Sequence, residues 1–498
     1  MDVDRVPVVA AGLTLELDPS IGSLTQRLMA GLRTGVQQGR LPPGLALPPS
    51  RALAAGLGCS RWVVTEAYAQ LVSEGYLLAV TGSATRVREL GPAATATGAT
   101  AAPVPRPRLD LLPGLPDLAA FPRVRWAEAY RRAVRELPTD LLAGRSLLAT
   151  GPARHTLTAY LRRTRQVQED PTQLSLSTSS TAAVGWLARV FGGLGHHRIA
   201  VEDPSWPGLR DAARRAGLEV VGVPVDDQGL RVDLLARTDA RLVIVTPAHQ
   251  FPTGVAMSAE RRLALIEWAE QTDGTVLEDD YDAEFRYDRR PVTSLQGMAP
   301  DRVVLMGSVS KSLSPAVQLG WVILPQWLIL RLVSDDLDRG VGPSALTVAA
   351  FATMVAEGWY ERHLRAVGLT YRRRRAALVA AVAHRLPGCA IGGAAAGLHL
   401  PLTLPPGTDV EQVVRAATAL ELPLASLDDY RLRPRGSEDG PGLVLGFGNL
   451  RSGREDEAVA LLAQALAESS RREPVSGGTA SRRAAPSAPG KPRSRTAR

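Results

Sequence analysis

With 498 residues, 45% hydrophobic and 22% charged, the chain has the make-up of a soluble protein of roughly two to four domains. An apolar run of about 18 residues for a membrane span is lacking, the start Met1-Asp2-Val3-Asp4-Arg5 is no secretory signal, and two cysteines, Cys59 and Cys389, are too few for a disulfide framework or zinc site. A reducing cytoplasm is the expected compartment. Of the net charge of +8, residues 471–498 carry +7, so the body is nearly neutral, with a basic segment at 20–89 where seven arginines face three glutamates.

Along that segment Leu24, Leu28, Leu32 and Val36 recur every four residues and predict a helix of about four turns. Arg40-Leu41-Pro42-Pro43-Gly44 breaks it. Ser50 is placed to cap a second helix through Leu53, Ala54 and Leu57, stopped by Gly58. Ser60 then caps a third, with Val64, Ala67 and Leu71 inward, Tyr68 in the core and Gly75 ending it. Tyr76–Val80 reads as a strand, Thr81–Ala84 as a turn and Thr85–Arg88 as the partner strand. Two short helices joined by a glycine turn and followed by a hairpin make a winged helix-turn-helix, whose third helix fits the major groove of DNA.

The residue order here, GRLPPG…LPPSRALAAGLGCSRWVVTEAYAQLVSEGYL, resembles the GntR family. That resemblance implies that Arg51 grips phosphate on a double-stranded operator. By the same match Ser60, Arg61, Trp62 and Thr65 face the groove, and Gly82 lets the wing approach the minor groove. Trp62 departs from the small polar residue usual at its position; it packs on a thymine methyl or sugar, or shields the helix start.

Residues 90–108 are rich in Ala, Pro, Thr and Gly without periodicity. They read as a linker reaching roughly 60 Å if extended like polyproline, at about 3.1 Å per residue. Residues 109–470 form the large remaining domain, and 471–498 a disordered basic tail that adds nonspecific attraction to DNA or only solubilises. From about residue 170 the large domain alternates apolar runs (Ile199–Val201, Val220–Val225, Leu242–Val245, Val276-Leu277, Val303–Met306) with helical patterns such as Arg262–Glu270. The alternation predicts an α/β fold with a mostly parallel sheet, whose strand ends host ligands.

The loops after those runs carry the chemistry. Ser177–Thr181 precede a helix over Ala182–Phe191, so hydroxyls and helix N–H groups together suit a phosphate. Trp206 follows a strand, placed either to stack on a flat heterocycle or to pack in the core. Glu278-Asp279-Asp280-Tyr281-Asp282 crowds four carboxylates, which disfavour joint ionisation. A metal would explain them; so would one buried Asp paired with a pyridinium nitrogen while the others face solvent. Lys311 stands out most. The chain has two lysines, and the other, Lys491, lies in the tail. Where arginine has replaced lysine nearly everywhere, a surviving lysine marks either a need for an amine that sheds its proton and attacks an aldehyde or a surface cation spared by chance.

Taken together, HQFPTG (His249–Gly254), EDDYDAEFRY (Glu278–Tyr287) and GSVSKSLSP (Gly307–Pro315) resemble the MocR-type regulators, which fuse a GntR-type reader to a fold type I aminotransferase-like domain. The resemblance spans nearly all of 20–465. It implies a large domain, a smaller C-terminal α+β subdomain, a homodimer without membrane attachment, and pyridoxal 5'-phosphate as cofactor with no metal. On that match Lys311 forms the Schiff base, Asp279 pairs with the ring nitrogen, Tyr281 bonds the ring hydroxyl and Trp206 stacks on the ring. Ser180, Thr181, Ser308 and Ser310 surround the phosphate.

Several family residues are replaced. Gln318 stands where an arginine clamps the phosphate, Val444 where one binds a substrate carboxylate, and 147–152 lack the tyrosine that reaches a neighbouring subunit. Arg431, Arg433 and Arg435 are the candidates to substitute for the carboxylate-binding one. The expected function is a transcriptional regulator sensing an amine or amino-acid effector; the alternatives are a working aminotransferase and a cofactor-free DNA-binding dimer.

Overall fold

The computed structural model describes residues 6–79, 84–89, 109–143, 152–168, 173–287, 293–334, 342–436 and 439–471. The expectations for Gly82, the linker 90–108, the stretch 147–151 and the tail from 472 fall outside them. Two compact units emerge, Met1–Pro105 and Arg106–Arg498.

The first unit opens with a hairpin absent from the sequence reading. Strand β1 (Val6–Ala10) pairs antiparallel with β2 (Leu13–Leu17). The leucine stripe forms helix α1 (Leu24–Gln37), started by a capping box between Ser23 and Gln26. Leu13, Leu15 and Leu17 of β2 share one core with Leu28 and Leu32 of α1. Helices α2 (Ser50–Gly56) and α3 (Arg61–Ser73) follow, with Val64, Ala67, Tyr68 and Leu71 turned inward. Ser50 does not cap α2. It is the first helical residue after Pro49, and its hydroxyl accepts from Arg61 Nε at 3.2 Å instead. Ser60 holds the cap position of α3 without a side-chain bond. The predicted wing strands shorten to β3 (Leu77–Leu78) and β4 (Arg86–Val87), paired antiparallel.

The second unit is built on eight strands: β5 (Leu174–Ser177), β6 (Arg198–Asp203), β7 (Glu219–Asp226), β8 (Gly229–Leu230), β9 (Leu242–Val245), β10 (Thr275–Asp279), β11 (Val303–Ser308) and β12 (Gly320–Ile323). Their order is β5-β12-β11-β10-β9-β6-β7-β8. From β11 to β7 every pairing is parallel, while β12 runs antiparallel to both its neighbours. The expected mostly parallel sheet is therefore present. Alternate side chains serve opposite faces. Leu242 and Ile244 pack against the helices Ser180–Gly193 and Pro207–Arg215, and Val243 and Val245 against Ala259–Thr272.

A smaller α+β subdomain follows. Strands β13 (Ala390–Ile391), β14 (His399–Thr403), β15 (Ala425–Ser426) and β16 (Gly442–Gly446) form an antiparallel sheet in the order β13-β14-β16-β15. Its core is shared with helices Trp359–Arg385, Val410–Ala419 and Glu455–Arg471. Among the described residues no helix is long and apolar enough to cross a membrane.

Candidate functional site

The carboxyl ends of the parallel strands open onto a cavity of about 240 Å³ in the second unit. Ligands bind at this edge of open α/β sheets. All eight residues that the sequence assigned to a cofactor line it: Ser180, Thr181, Trp206, Asp279, Tyr281, Ser308, Ser310 and Lys311. Strand β10 ends on Asp279 and β11 on Ser308, which sets the carboxylate and the lysine loop side by side.

Lys311 Nζ donates to the carbonyl of Gly114 at 2.5 Å. Burial lowers its amine below the usual lysine value, with Asp282 and Asp279 opposing the shift. A lowered value keeps more of the neutral, nucleophilic form. Burial raises the Asp279 carboxyl to about 7; the Ser180 hydroxyl and Lys311 pull it down, and Asp280 pushes it up. Asp279 Oδ1 has no hydrogen-bond partner within the protein. A carboxyl held dry with an unmet oxygen fits a protonated ring nitrogen.

At the other end of the cavity Ser179 caps the helix Ser180–Gly193 by accepting from Ala182 N at 3.1 Å. The helix starts at Ser180, two residues earlier than the sequence indicated, so Ser180 and Thr181 stand on its first turn. Trp206 is 40% exposed, its ring stacked on Tyr430 and edge-on to Phe251. Tyr281 donates to the carbonyl of His249 at 3.0 Å.

The acidic cluster departs from expectation. Asp280, Asp282 and Glu278 do not face solvent; all are buried. Each has its own partner: Glu278 accepts from Leu295 N and Gln296 N, both at 3.0 Å, and Asp280 pairs with Arg165, which also holds Glu284 at 3.0 Å. Asp282 Oδ2 lies 2.9 Å from His249 Nδ1. His249, Asp282 and His399 bring possible metal-ligand atoms within 4.8 Å of one another, but the bond between the first two already engages one atom of each. Separate partners offset the crowded charges.

The carboxylate-binding arginine replaced by Val444 is not restored by the proposed substitutes, and Gln318 has no proposed substitute. Gln318 sits exposed in the left-handed region, φ 52°, and Val444 is fully buried in β16. Arg431 and Arg433 pair with Asp439, Arg435 with Asp428, and none of the three lines the cavity. The guanidinium that does is Arg210, on the helix Pro207–Arg215. Sequence reading missed it, together with Gly114, Glu202, Ser205 and His399. Arg210 had a signal, since it lies one helical turn beyond Trp206; Gly114 had none, because only tertiary structure brings it to Lys311.

In the first unit Arg51, Ser60, Arg61, Trp62 and Thr65 are all exposed, away from the core face of α3. Trp62 is 67% exposed. Arg61 is tethered through Ser50. This is a groove-sized helix presenting cations and one bare indole.

Residues 24–87 match the bacterial regulatory proteins of the gntR family, and residues 125–415 match aminotransferase class I and II. The HTH-type pyridoxine biosynthesis transcriptional regulator PdxR of Corynebacterium glutamicum is 34% identical over 88% of this chain and 95% of its own length. The chain belongs to the MocR-type GntR regulators. The probable rhizopine catabolism regulatory protein MocR of Rhizobium meliloti is 33% identical over 74% of this chain and 78% of that protein. Among solved structures, the multiple substrate aminotransferase from Thermococcus profundus superposes with a TM-score of 0.65 at 23% identity, over 73% of this chain and 92% of that one. That likeness shows the aminotransferase fold for the MocR-type effector domain. The GntR domain and the regulator relatives together make the chain a DNA-binding transcriptional regulator.

Proposed function

We propose that the aminotransferase-like unit holds pyridoxal 5'-phosphate through Lys311 and reports an amine or amino-acid effector to the DNA-binding unit of a cytoplasmic homodimer. The observation that carries this reading is the convergence of eight residues, picked from four separate sequence motifs, on one cavity. When bound, the cofactor supplies an electrophilic carbonyl carbon and an electron-accepting ring.

The chain's own residues do the rest. Lys311, kept partly neutral by burial, offers the amine. Asp279 would hold a proton at the ring nitrogen, and Tyr281, its own proton given to the His249 carbonyl, would meet the ring hydroxyl as an acceptor. Trp206 offers a flat apolar face. Ser180, Thr181 and the N–H groups of their helix receive the phosphate, with Ser308 and Ser310 beside them. Effector binding changes how the two readers are held on the operator by no more than its differential affinity for the two arrangements. Val444 in the carboxylate position and Gln318 in the phosphate position favour sensing over efficient turnover.

The test is direct. Full-length protein is saturated with pyridoxal phosphate, reduced with borohydride and mapped by peptide mass. A pyridoxyl adduct at Lys311, absent from Lys311→Ala, is expected. No adduct at that position overturns the reading and leaves a DNA-binding scaffold.

A further inference from the structure

Charge is spread unevenly over the second unit. Three of its helices, Arg123–Glu136, Pro152–Arg165 and Trp359–Arg385, hold sixteen arginines and three glutamates. Their net charge of +13 stands within residues 1–470, which total +1. Eleven of the sixteen arginines are exposed, against one exposed glutamate, Glu136. A surface so dominated by one sign repels itself and draws in an anionic partner.

The three helices present one continuous face. Each packs on the helix Ala345–Ala356, which has no charged residue, and Ala133, Leu157, Leu161, Phe351 and Tyr360 share one core beneath. Side chains join the outer surface across the helix boundaries. Arg163 reaches Glu361 at 2.5 Å, and Arg132 reaches Glu357 at 2.9 Å. Arg125 and Arg132 lie over the Trp359 ring, 4.8 and 5.4 Å from its centre. An indole under a guanidinium holds the cation in place, and for Arg125 it leaves the N–H edge free to meet a phosphate. On the helix Trp359–Arg385, Arg362, Arg365, Arg372 and Arg373 are exposed and fall on one side. Among the described residues no carboxylate lies within ion-pair distance of these four or of Arg125.

The polyanion that this regulator already holds is duplex DNA. Each of its strands carries one phosphate per about 3.4 Å of rise. From Arg362 to Arg373 the helix advances roughly 16 Å at about 1.5 Å per residue, so the row runs beside about five phosphates of one strand. We propose that this arginine face of the aminotransferase-like unit is a second DNA-contact surface, holding phosphates beyond those that the winged helix touches. It meets the backbone and not the base edges, so it adds affinity and orientation without sequence preference. The contact needs no bound cofactor.

The experiment uses full-length protein and two long duplexes, one carrying the promoter beside its own gene and one of unrelated sequence. Fluorescence anisotropy over a salt series reads binding to each. The test variant combines Arg362→Gln, Arg365→Gln and Arg372→Gln, all at exposed positions. A control removes the same charge elsewhere on the unit through Arg214→Gln, Arg215→Gln and Arg237→Gln, also exposed. On both duplexes the test variant should lower the log–log salt slope by at least about 0.9, and by about 2.7 where all three arginines meet phosphate. The control should keep the parent slope. Should thermal melting show the triple variant unfolded, Arg365→Gln alone takes its place, with an expected fall of about 0.9. An unchanged slope overturns the proposal, and so does an equal fall in the control, which marks bulk charge alone. Sedimentation follows assembly: a test variant that drops from dimer to monomer assigns the face to a contact between copies of the chain and also overturns it.

Discussion

Gly397 lies against His249 so closely that a Cβ at position 397 would stand 2.2 Å from His249 Cε1 and 2.4 Å from Asp282 Oδ2. Its φ of +68° is also one that side chains disfavour. The glycine thus allows the His249–Asp282 pair to form beneath Tyr281. Gly397→Ala should separate that pair and cost about 2 kcal/mol or more, from backbone strain and a broken buried hydrogen bond. Urea denaturation measures it; a variant as stable as the parent would refute the close approach.

Stability should depend on pH through the buried carboxyls. Burial raises Glu202 to about 7, with hydrogen bonds from Thr246 and Gln250 opposing. An unfolded glutamate titrates near about 4.3, so between these values the folded state binds more protons than the unfolded. The contribution is fully present below the unfolded value and is lost as pH rises to about 7. Glu202→Gln should remove a loss on the order of 3 kcal/mol, at about 1.4 kcal/mol per unit. Denaturation of both proteins at about pH 5 and pH 8 reads the difference, and an unchanged pH slope in the variant contradicts it.

Arg374 ties the segment 109–117, whose Gly114 carbonyl meets Lys311, to the smaller subdomain. It donates to Asp117 Oδ2 and the Gly448 carbonyl, both at 2.6 Å, and to Ser452 Oγ at 3.0 Å. Arg374→Met leaves Asp117 without its cation and should cost about 3 kcal/mol, as for other broken buried pairs. Cofactor affinity should fall with it, because Asp117 follows the turn that places Gly114 on Lys311. A variant with lower stability and undiminished affinity would show that the segment does not position the lysine.

On DNA carrying the promoter beside its own gene, Arg51→Ala should lower the salt dependence of binding by about 0.9 in the log–log slope, the signature of one lost phosphate contact. Arg61→Ala should instead reduce the preference for that DNA over an unrelated duplex. Fluorescence anisotropy across a salt series distinguishes the two, and the reverse pattern would exchange their roles.

The legible part of this protein was the part written locally. Leucines every four residues fixed α1, and apolar runs fixed β6, β9, β10 and β11 because their side chains need no distant partner to be recognised. Lys311 stood out through the scarcity of lysine. What stayed hidden depends on long-range pairing. Nothing near Asp280 announces Arg165, 115 residues upstream, so Glu278, Asp280 and Asp282 read as solvent-facing or metal-bound when each is buried against a partner. The first hairpin was readable in principle: Leu13, Leu15 and Leu17 alternate after the Ala11-Gly12 turn, but five residues of alternation are a weak signal at a chain end.

That hairpin bears on how the reader can be isolated. A fragment trimmed to the family match would discard β2, whose Glu16 carbonyl lies 2.8 Å from where a Cβ on Gly31 would sit. Leu28 and Leu32 would then face water, and such a piece should clump rather than bind operator. A soluble DNA-binding fragment has to begin at or before Val6.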